Sequence, residues 1–205
     1  MKIEIPAKHL GDIIGIIQNH LDAEQFYAHS TCICCGNDCL DCTRQILELL
    51  NIENKLTKNP KNAIKGEVIW FNKKWDYSSY SKIKIKSKKE NYYCYQFDAR
   101  SSYHKLPSKE QLNNFLKKFP GDLIDVGEKS KLNIKEKFNI INNSISYIGV
   151  DSGVTHLAMM SNTPTFVFQN EKYPRQFSYP KTNQIKFYID YKDIINKIKK
   201  MRLKI

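Results

Sequence analysis

Two stretches of this chain carry residue types at spacings that could do chemistry. The first is Asp151-Ser152-Gly153, with His156 three residues further on. It lies between an apolar, β-branched run, Ile145 to Val150, and a short helical segment stopped by Thr163-Pro164. A hydroxyl and a glycine at a strand-to-helix turn leave backbone N–H groups open to an anion such as a phosphate. The bland alternative is that Asp151 and Ser152 only cap the helix. The second stretch is Thr31 to Cys42, TCICCGNDCLDC, which holds five of the six cysteines. Cys32, Cys35, Cys39 and Cys42 form two C-x-x-C pairs, and Cys34 is an extra. Four thiolates at that bite can hold one tetrahedral zinc, which would staple a loop poor in apolar residues. The pairs stand closer together than in the usual zinc finger, and their spacing is not that of a common ferredoxin. Free cysteines in a loop are the competing reading, and disulfides suit a cytosolic chain poorly.

The elements that must position these residues are those of an α/β fold. Strand, polar turn, helix, proline stop and strand run from Ile145 to Phe168, which is a βαβ unit. Such units build parallel sheets, and ligands sit at the carboxyl ends of their strands. A second unit opens the chain. Met1 to Pro6 is strand-like, His9-Leu10-Gly11-Asp12 is a polar turn, and Ile13, Ile14, Ile16, Ile17 and Leu21 recur at helical spacing. Gln25 to His29 is its second strand. Asp12 is an N-cap on one reading and a catalytic carboxylate on the other.

Further along, Thr43 to Leu50 is expected as a helix, Asn51 to Lys65 as a polar connection and Glu67 to Phe71 as a strand. Lys73 to Lys89 mixes lysines with Trp75, Tyr77 and Tyr80. It reads as a surface hairpin with Ile83 and Ile85 alternating against lysines, or as a face that contacts phosphates and stacks on bases. Asn91 to Phe97 is a strand, Asp98 to Pro107 a polar loop, and Ser108 the cap of a helix ending near Phe119. A strand at Asp122 to Val126, a helix at Asn133 to Asn142, a last strand at Ile185 to Ile189 and a basic helix from Tyr191 to Ile205 complete the chain. Residues 1–88 form a small lobe in this reading, and 89–205 form a complete α/β domain.

With 205 residues, 41% of them hydrophobic, the chain can bury a core. No apolar run approaches the ~20 residues that cross a membrane, and the N-terminus lacks a signal-peptide pattern, so a cytoplasmic protein is expected. The net charge of +12 points to a polyanionic partner or a negatively charged surface, including peripheral contact with a membrane. A Lys-, Asn- and Ile-rich composition, typical of AT-rich codons, is the alternative source of that charge.

Asp151-Ser152-Gly153-x-x-His156-Leu157-Ala158, followed by Pro164 and an apolar strand, resembles the donor-site motif of the heptosyltransferase-like glycosyltransferases. His9-Leu10-Gly11-Asp12 resembles that family's N-terminal L-G-D turn. The loop from Asp98 to Pro107 lies where the family carries a Ser/Thr-rich segment ending in Lys-x-Trp-Pro. Here His104 stands at the family's lysine, Lys105 is one step later, and Leu106 replaces the Trp. The resemblance implies a GT-B arrangement of two Rossmann-like lobes, with a shortened N-terminal acceptor lobe and a C-terminal lobe that binds the nucleotide-sugar. It implies Asp12 as general base toward an acceptor hydroxyl. Arg100, Ser101, Ser102, Asp151, Ser152, Gly153 and His156 would surround the donor, with Lys105 or His104 at the departing diphosphate. No catalytic metal is implied, and the cysteine cluster is not a family feature.

The function expected from these readings is glycosyl transfer from a nucleotide-sugar to a hydroxyl. The acceptor would be a surface glycan such as a lipopolysaccharide core, or a modified DNA base. A non-catalytic α/β module holding nucleic acid or an anionic glycan is the alternative.

Overall fold

The computed structural model describes residues 1–6, 9–28, 33–34, 37–66, 75–76, 80–98, 108–150, 152–169, 177–178, 184–186, 196–197 and 200. Its strands fall into two parallel sheets divided along the sequence. The first holds β1 (Lys2–Ile5), β2 (Gln25–Ala28), β5 (Leu56–Thr57) and β6 (Ala63–Lys65), in the order β5-β2-β1-β6. The second holds β8 (Tyr93–Gln96), β9 (Leu123–Asp125), β10 (Tyr147–Val150), β11 (Thr165–Gln169) and β13 (Gln184–Lys186), in the order β13-β11-β10-β8-β9. Two short pairs accompany them. β3 (Ile33–Cys34) and β4 (Asn37–Asp38) form an antiparallel hairpin. β7 (Trp75–Asp76) pairs in parallel with β12 (Phe177–Ser178), joining the two halves of the chain.

Each sheet changes winding direction once. From β1 the chain moves outward through β2 and β5, then β6 is laid on the other side of β1. From β8 it moves to β9, then β10, β11 and β13 are laid on the opposite side. In open parallel sheets the crevice at such a reversal is where ligands bind. Here these crevices lie between the carboxyl ends of β1 and β6, and between those of β8 and β10.

Helix α1 (Leu10–Asn19) follows β1, and α5 (Gly153–Met159) follows β10. Both are buried nearly all round. In α1, Leu10, Gly11, Ile13, Ile14, Gly15, Ile16 and Ile17 are inside; in α5, every residue from Val154 to Met159 is. A helix apolar on all sides has to lie between two layers. These two lie against each other, so one apolar core runs from Ile3, Ile5 and Phe26 in the first half to Tyr147, Leu157 and Val167 in the second. Each fully buried Ile contributes about 1.5–3 kcal/mol. Helix α2 (Cys39–Leu49) packs on α4 (Ile134–Asn143). Gln45 of α2 lends its side-chain oxygen to the Ile134 and Lys135 N–H groups, the open donors of α4's first turn. Asn133 and Glu136 complete that start as a capping box, and Ser108 with Gln111 does the same for α3 (Lys109–Lys118).

Three regions differ from the sequence expectation. Residues 51–65 are not merely a connection: they carry a 3-10 turn and the strands β5 and β6, and β6 pairs with β1. These strands are short, partly exposed edges with no apolar alternation to announce them. Residues 81–90 are not a hairpin strand. They drape over the ends of α5 and α4, with Ile83 buried and its N–H donating to Met160. Lys82 donates to the Met159 carbonyl, and Lys89 to the carbonyls of Asn142 and Ser144. Lys82 and Lys89 therefore close the carboxyl ends of helices rather than line a strand face. Helix α2 begins at Cys39, so half of the C-x-x-C pattern is helical. The expected strand at 67–71 lies outside the described residues, as does most of the expected C-terminal helix.

Candidate functional site

The two helix starts meet. A side chain added at Gly153 would put its Cβ 2.7 Å from Leu10 Cβ and 2.9 Å from the Gly11 nitrogen. One added at Gly11 would lie 3.2 Å from the His156 ring. Gly153 thus permits a close approach to the Leu10-Gly11 backbone that a larger residue would obstruct, while Gly11 fits beside the His156 ring. Sequence alone puts these turns 140 residues apart; the fold joins them beside the crevice at the end of β10.

Asp12 stands in the first turn of α1, two residues inside the helix. The N-cap position belongs to His9, whose side chain makes no capping hydrogen bond. Asp12 is therefore not the cap that the sequence allowed it to be. Burial raises its carboxyl above the ordinary aspartate value, and the nearby His9 offsets part of that rise. A carboxylate with a raised pKa is a stronger base than a solvated one.

Ser152 is the N-cap of α5, its Oγ accepting from the Thr155 N–H at 3.3 Å. The capping reading is correct for Ser152, and the side chain has further partners besides. It donates to Gln96 Oε1 at 2.6 Å, across the crevice between β10 and β8. His156 lies 2% exposed, with Nδ1 3.0 Å from the Tyr80 hydroxyl. Burial lowers its pKa to about 3, so the imidazole is neutral at any ordinary pH. Tyr80 is itself buried, which removes it from the set of aromatics that could stack on a base.

Asp151 lies outside the described residues, as do Arg100, Ser101, Ser102, His104 and Lys105. The described ends of that last segment, Asp98 and Ser108, frame it: Asp98 follows β8 at the crevice, and Ser108 starts α3. In the cysteine cluster, Cys32 and Cys35 are outside the described residues. Cys39 and Cys42 are fully buried on the first turn of α2, and Cys39 Sγ lies 3.8 Å from the Ile5 carbonyl at the end of β1. Their i, i+3 spacing gives the two thiols one helix face, the bite that a tetrathiolate site needs from each pair. Among the described residues, no three His, Cys, Asp or Glu side chains gather as a metal site.

Sequence reading passed over Gln96, Tyr147 and Thr155. Gln96 is the last residue of β8 and 2% exposed. The signal was present: a polar residue stood at an inward position of a strand whose other inward residue, Cys94, is apolar in character. Tyr147 donates to Thr155 Oγ1 at 3.0 Å, and Thr155 Oγ1 donates to the Val150 carbonyl at 2.5 Å. Gly149, two residues along the strand, leaves the space the Tyr147 phenol occupies.

No protein-family model matches the sequence, and no curated protein matches it. In structure, the chain is similar to the bacterial iron-containing dodecameric glycosyltransferase TibC from enterotoxigenic E. coli H10407. The TM-score is 0.57 at 12% identity, over 90% of this chain and 61% of TibC. The likeness is one of fold: α/β, with two parallel sheets. This chain spans 61% of the length of that neighbour. No helix among the described residues is long and apolar enough to cross a membrane.

Proposed function

We propose that this protein is a glycosyltransferase that moves a sugar from a nucleotide-sugar to an acceptor hydroxyl. One observation carries the reading: the Leu10-Gly11-Asp12 turn and the Ser152-Gly153 turn abut, which brings a half-buried carboxylate beside a helix start at a topological switch point. The fold likeness to TibC supports it.

In this scheme residues 1–88 serve the acceptor and 89–205 the donor, in a GT-B-like arrangement. Asp12 takes the proton from the acceptor hydroxyl as the hydroxyl oxygen attacks the anomeric carbon. The bond from that carbon to the donor's phosphate oxygen breaks, and the nucleoside diphosphate leaves with the bonding pair. Backbone N–H groups at the start of α5 hold the diphosphate, with Asp151 and His156 ordering the turn. Arg100, Lys105 or His104 supplies positive charge to the leaving group, and Ser101 and Ser102 supply hydroxyls. The acceptor is an anionic glycan or a nucleic acid, in keeping with the +12 charge. Transfer requires no metal in this scheme.

A structural metal belongs to the same proposal. Cys32, Cys35, Cys39 and Cys42 supply four thiolates, a set that suits zinc and would tie the β3–β4 hairpin to α2. TibC is iron-containing, so elemental analysis of the purified protein should read zinc and iron together. One metal per chain is the expected result, and a metal-free folded sample removes this part.

The enzymatic reading is tested by a thermal-shift screen against nucleoside diphosphates and nucleotide-sugars, followed by hydrolysis assays on those that bind. A ligand at about 100 times its dissociation constant stabilises by ~2.7 kcal/mol. Salt-dependent DNA binding with no nucleotide affinity would instead favour the non-catalytic module.

A further inference from the structure

Residues 80–83 lie between the two halves of the chain and bond to both. The Tyr80 ring is 4% exposed, and its hydroxyl lies 3.0 Å from His156 Nδ1, in the middle of α5. Ser81 donates its N–H to Gln18 Oε1 at 2.9 Å and accepts the Gln18 amide on its carbonyl at 3.4 Å. One side chain near the end of α1 thus satisfies both backbone groups of Ser81. Lys82 donates to the Met159 carbonyl, and the Ile83 N–H to the Met160 carbonyl at 2.9 Å, both at the end of α5. Four consecutive residues therefore hold the middle and the end of α5 together with the end of α1.

The start of α1 is held from the same place. The His156 ring lies against Gly11, where an added Cβ would stand 3.2 Å from Cδ2 and 3.3 Å from Nε2. The imidazole is neutral, so Nδ1 either accepts from the Tyr80 hydroxyl or donates to it, and one bond is made in both cases. That bond fixes how the ring lies, and the ring's opposite edge is the one that meets Gly11. A helix held at one end can pivot; α1 is held at Gly11 and again at Gln18, with Asp12 between them. We propose that Tyr80 is a positioning residue for Asp12: with Tyr80 acting through His156 at Gly11, and Ser81 through Gln18, residues 80–83 hold α1 at both ends against α5 and fix where the carboxylate stands. This rests on the reading of Asp12 as general base. It adds that the placement of the base is set from the segment between the two halves.

Placement matters because a base takes a proton only within hydrogen-bond reach, about 2.6–3.2 Å. A misplacement of about 1 Å caused far from the chemistry can cost ~10²-fold. Loss of the Tyr80 hydroxyl removes the partner of a buried ring nitrogen and frees the ring to turn away from Gly11. Lys89 supplies the contrast. It belongs to the same segment, but it bonds the carbonyls of Asn142 and Ser144 and the Thr163 hydroxyl, at the end of α4 and after α5. Its loss should weaken the fold without moving Asp12.

The test measures hydrolysis of UDP-glucose, GDP-mannose and ADP-glucose, with melting temperature on the same samples. The proteins are wild type, Tyr80→Phe, Gln18→Ala, Lys89→Ala, Asp12→Asn and the Asp12→Asn/Tyr80→Phe double variant. On the best donor, Tyr80→Phe should lower kcat about tenfold and leave KM within about twofold of wild type. Gln18→Ala, at the other end of α1, should lower kcat about threefold. Lys89→Ala should melt lower and keep kcat within about twofold. Once Asp12→Asn is present, Tyr80→Phe should have no further effect on kcat, since no base is left to place. A merely structural role would not produce that result. Wild-type kcat in Tyr80→Phe, a kcat loss in Lys89→Ala as large as in Tyr80→Phe, or the full Tyr80→Phe loss repeated in the Asp12→Asn background would each overturn the proposal and leave the general-base reading standing. Unchanged kcat in Asp12→Asn, or no turnover of any of the three donors by wild type, would overturn both.

Discussion

The two helix starts that meet at the crevice are built on opposite plans. Helix α5 is capped by Ser152, and that cap is tied through Gln96 to β8 and through Thr155 to the β10 carbonyl. Helix α1 follows His9, which gives no side-chain cap, and its first turn carries a half-buried carboxylate whose pKa is raised. The first start is held in one geometry; the second holds a charge at an energetic cost. A binding cradle needs the first property, because backbone donors work only when fixed. A general base needs the second, because desolvation is what makes a carboxylate basic. On the proposed function, cradle and base fall to different halves of the chain, whose helix starts meet at Gly11 and Gly153.

The sharpest way to break this contrast is at Asp12. Asp12→Asn should lower nucleotide-sugar turnover by about 10²–10⁴-fold, the usual worth of a positioned base. Its stability should change in the opposite sense. A raised folded-state pKa means the fold binds the Asp12 proton more tightly than the unfolded chain does. The resulting penalty is absent at low pH, grows as pH rises through the unfolded value of 3.8, and is complete above the folded pKa. At pH 7 the Asn variant should therefore melt no lower than wild type. A variant that loses activity and melting temperature together would make Asp12 structural. For wild type, turnover should fall on acidification with a midpoint above the ordinary aspartate value, as read from a pH–rate profile.

Gly153→Ala is the next largest change. The new methyl meets a backbone nitrogen and a Cβ at under 3 Å, neither of which can swing away. A loss of about 1–3 kcal/mol is expected by denaturant unfolding, together with loss of diphosphate affinity. Tyr80→Phe removes the hydroxyl bonded to His156 and should cost about 1–2 kcal/mol, with donor affinity largely kept if His156 acts by holding α5 in place. The smallest effect is expected at Gly11→Ala. Its neighbour is the rim of the His156 ring at 3.2 Å, which can yield by a few tenths of an ångström. Equal effects at Gly11 and Gly153 would show that the backbone contact is not what joins the turns.

The elements that carry the two turns could be read from the chain itself. The two strand–turn–helix units were visible because apolar periodicity and turn residues agree there, from Lys2 to Ala28 and from Tyr147 to Gln169. Their meeting was not visible, because it depends on glycines whose role is the absence of a side chain. Gln96 escaped notice because one polar residue in an aromatic strand has no periodic signature. The lysine-rich run at 81–90 misled, since Ile83 and Ile85 alternate as in a strand while only Ile83 is buried. Lys2, Lys55, Lys82, Lys89 and Lys137 spend their ammonium groups on backbone carbonyls. That part of the net charge has a structural use and says little about a partner. Edge strands as short as β5 and β6 owe their place to the neighbour they pair with, which no local pattern encodes.

The most direct measurement pairs binding with turnover on the same two proteins. Wild type and Asp12→Asn are titrated with the nucleoside diphosphate found by thermal shift, and hydrolysis of the matching nucleotide-sugar is followed. The account predicts affinities equal within about twofold and turnover lower by at least about a hundredfold in Asp12→Asn. Equal turnover in the two proteins, or no nucleotide binding by either, would contradict it.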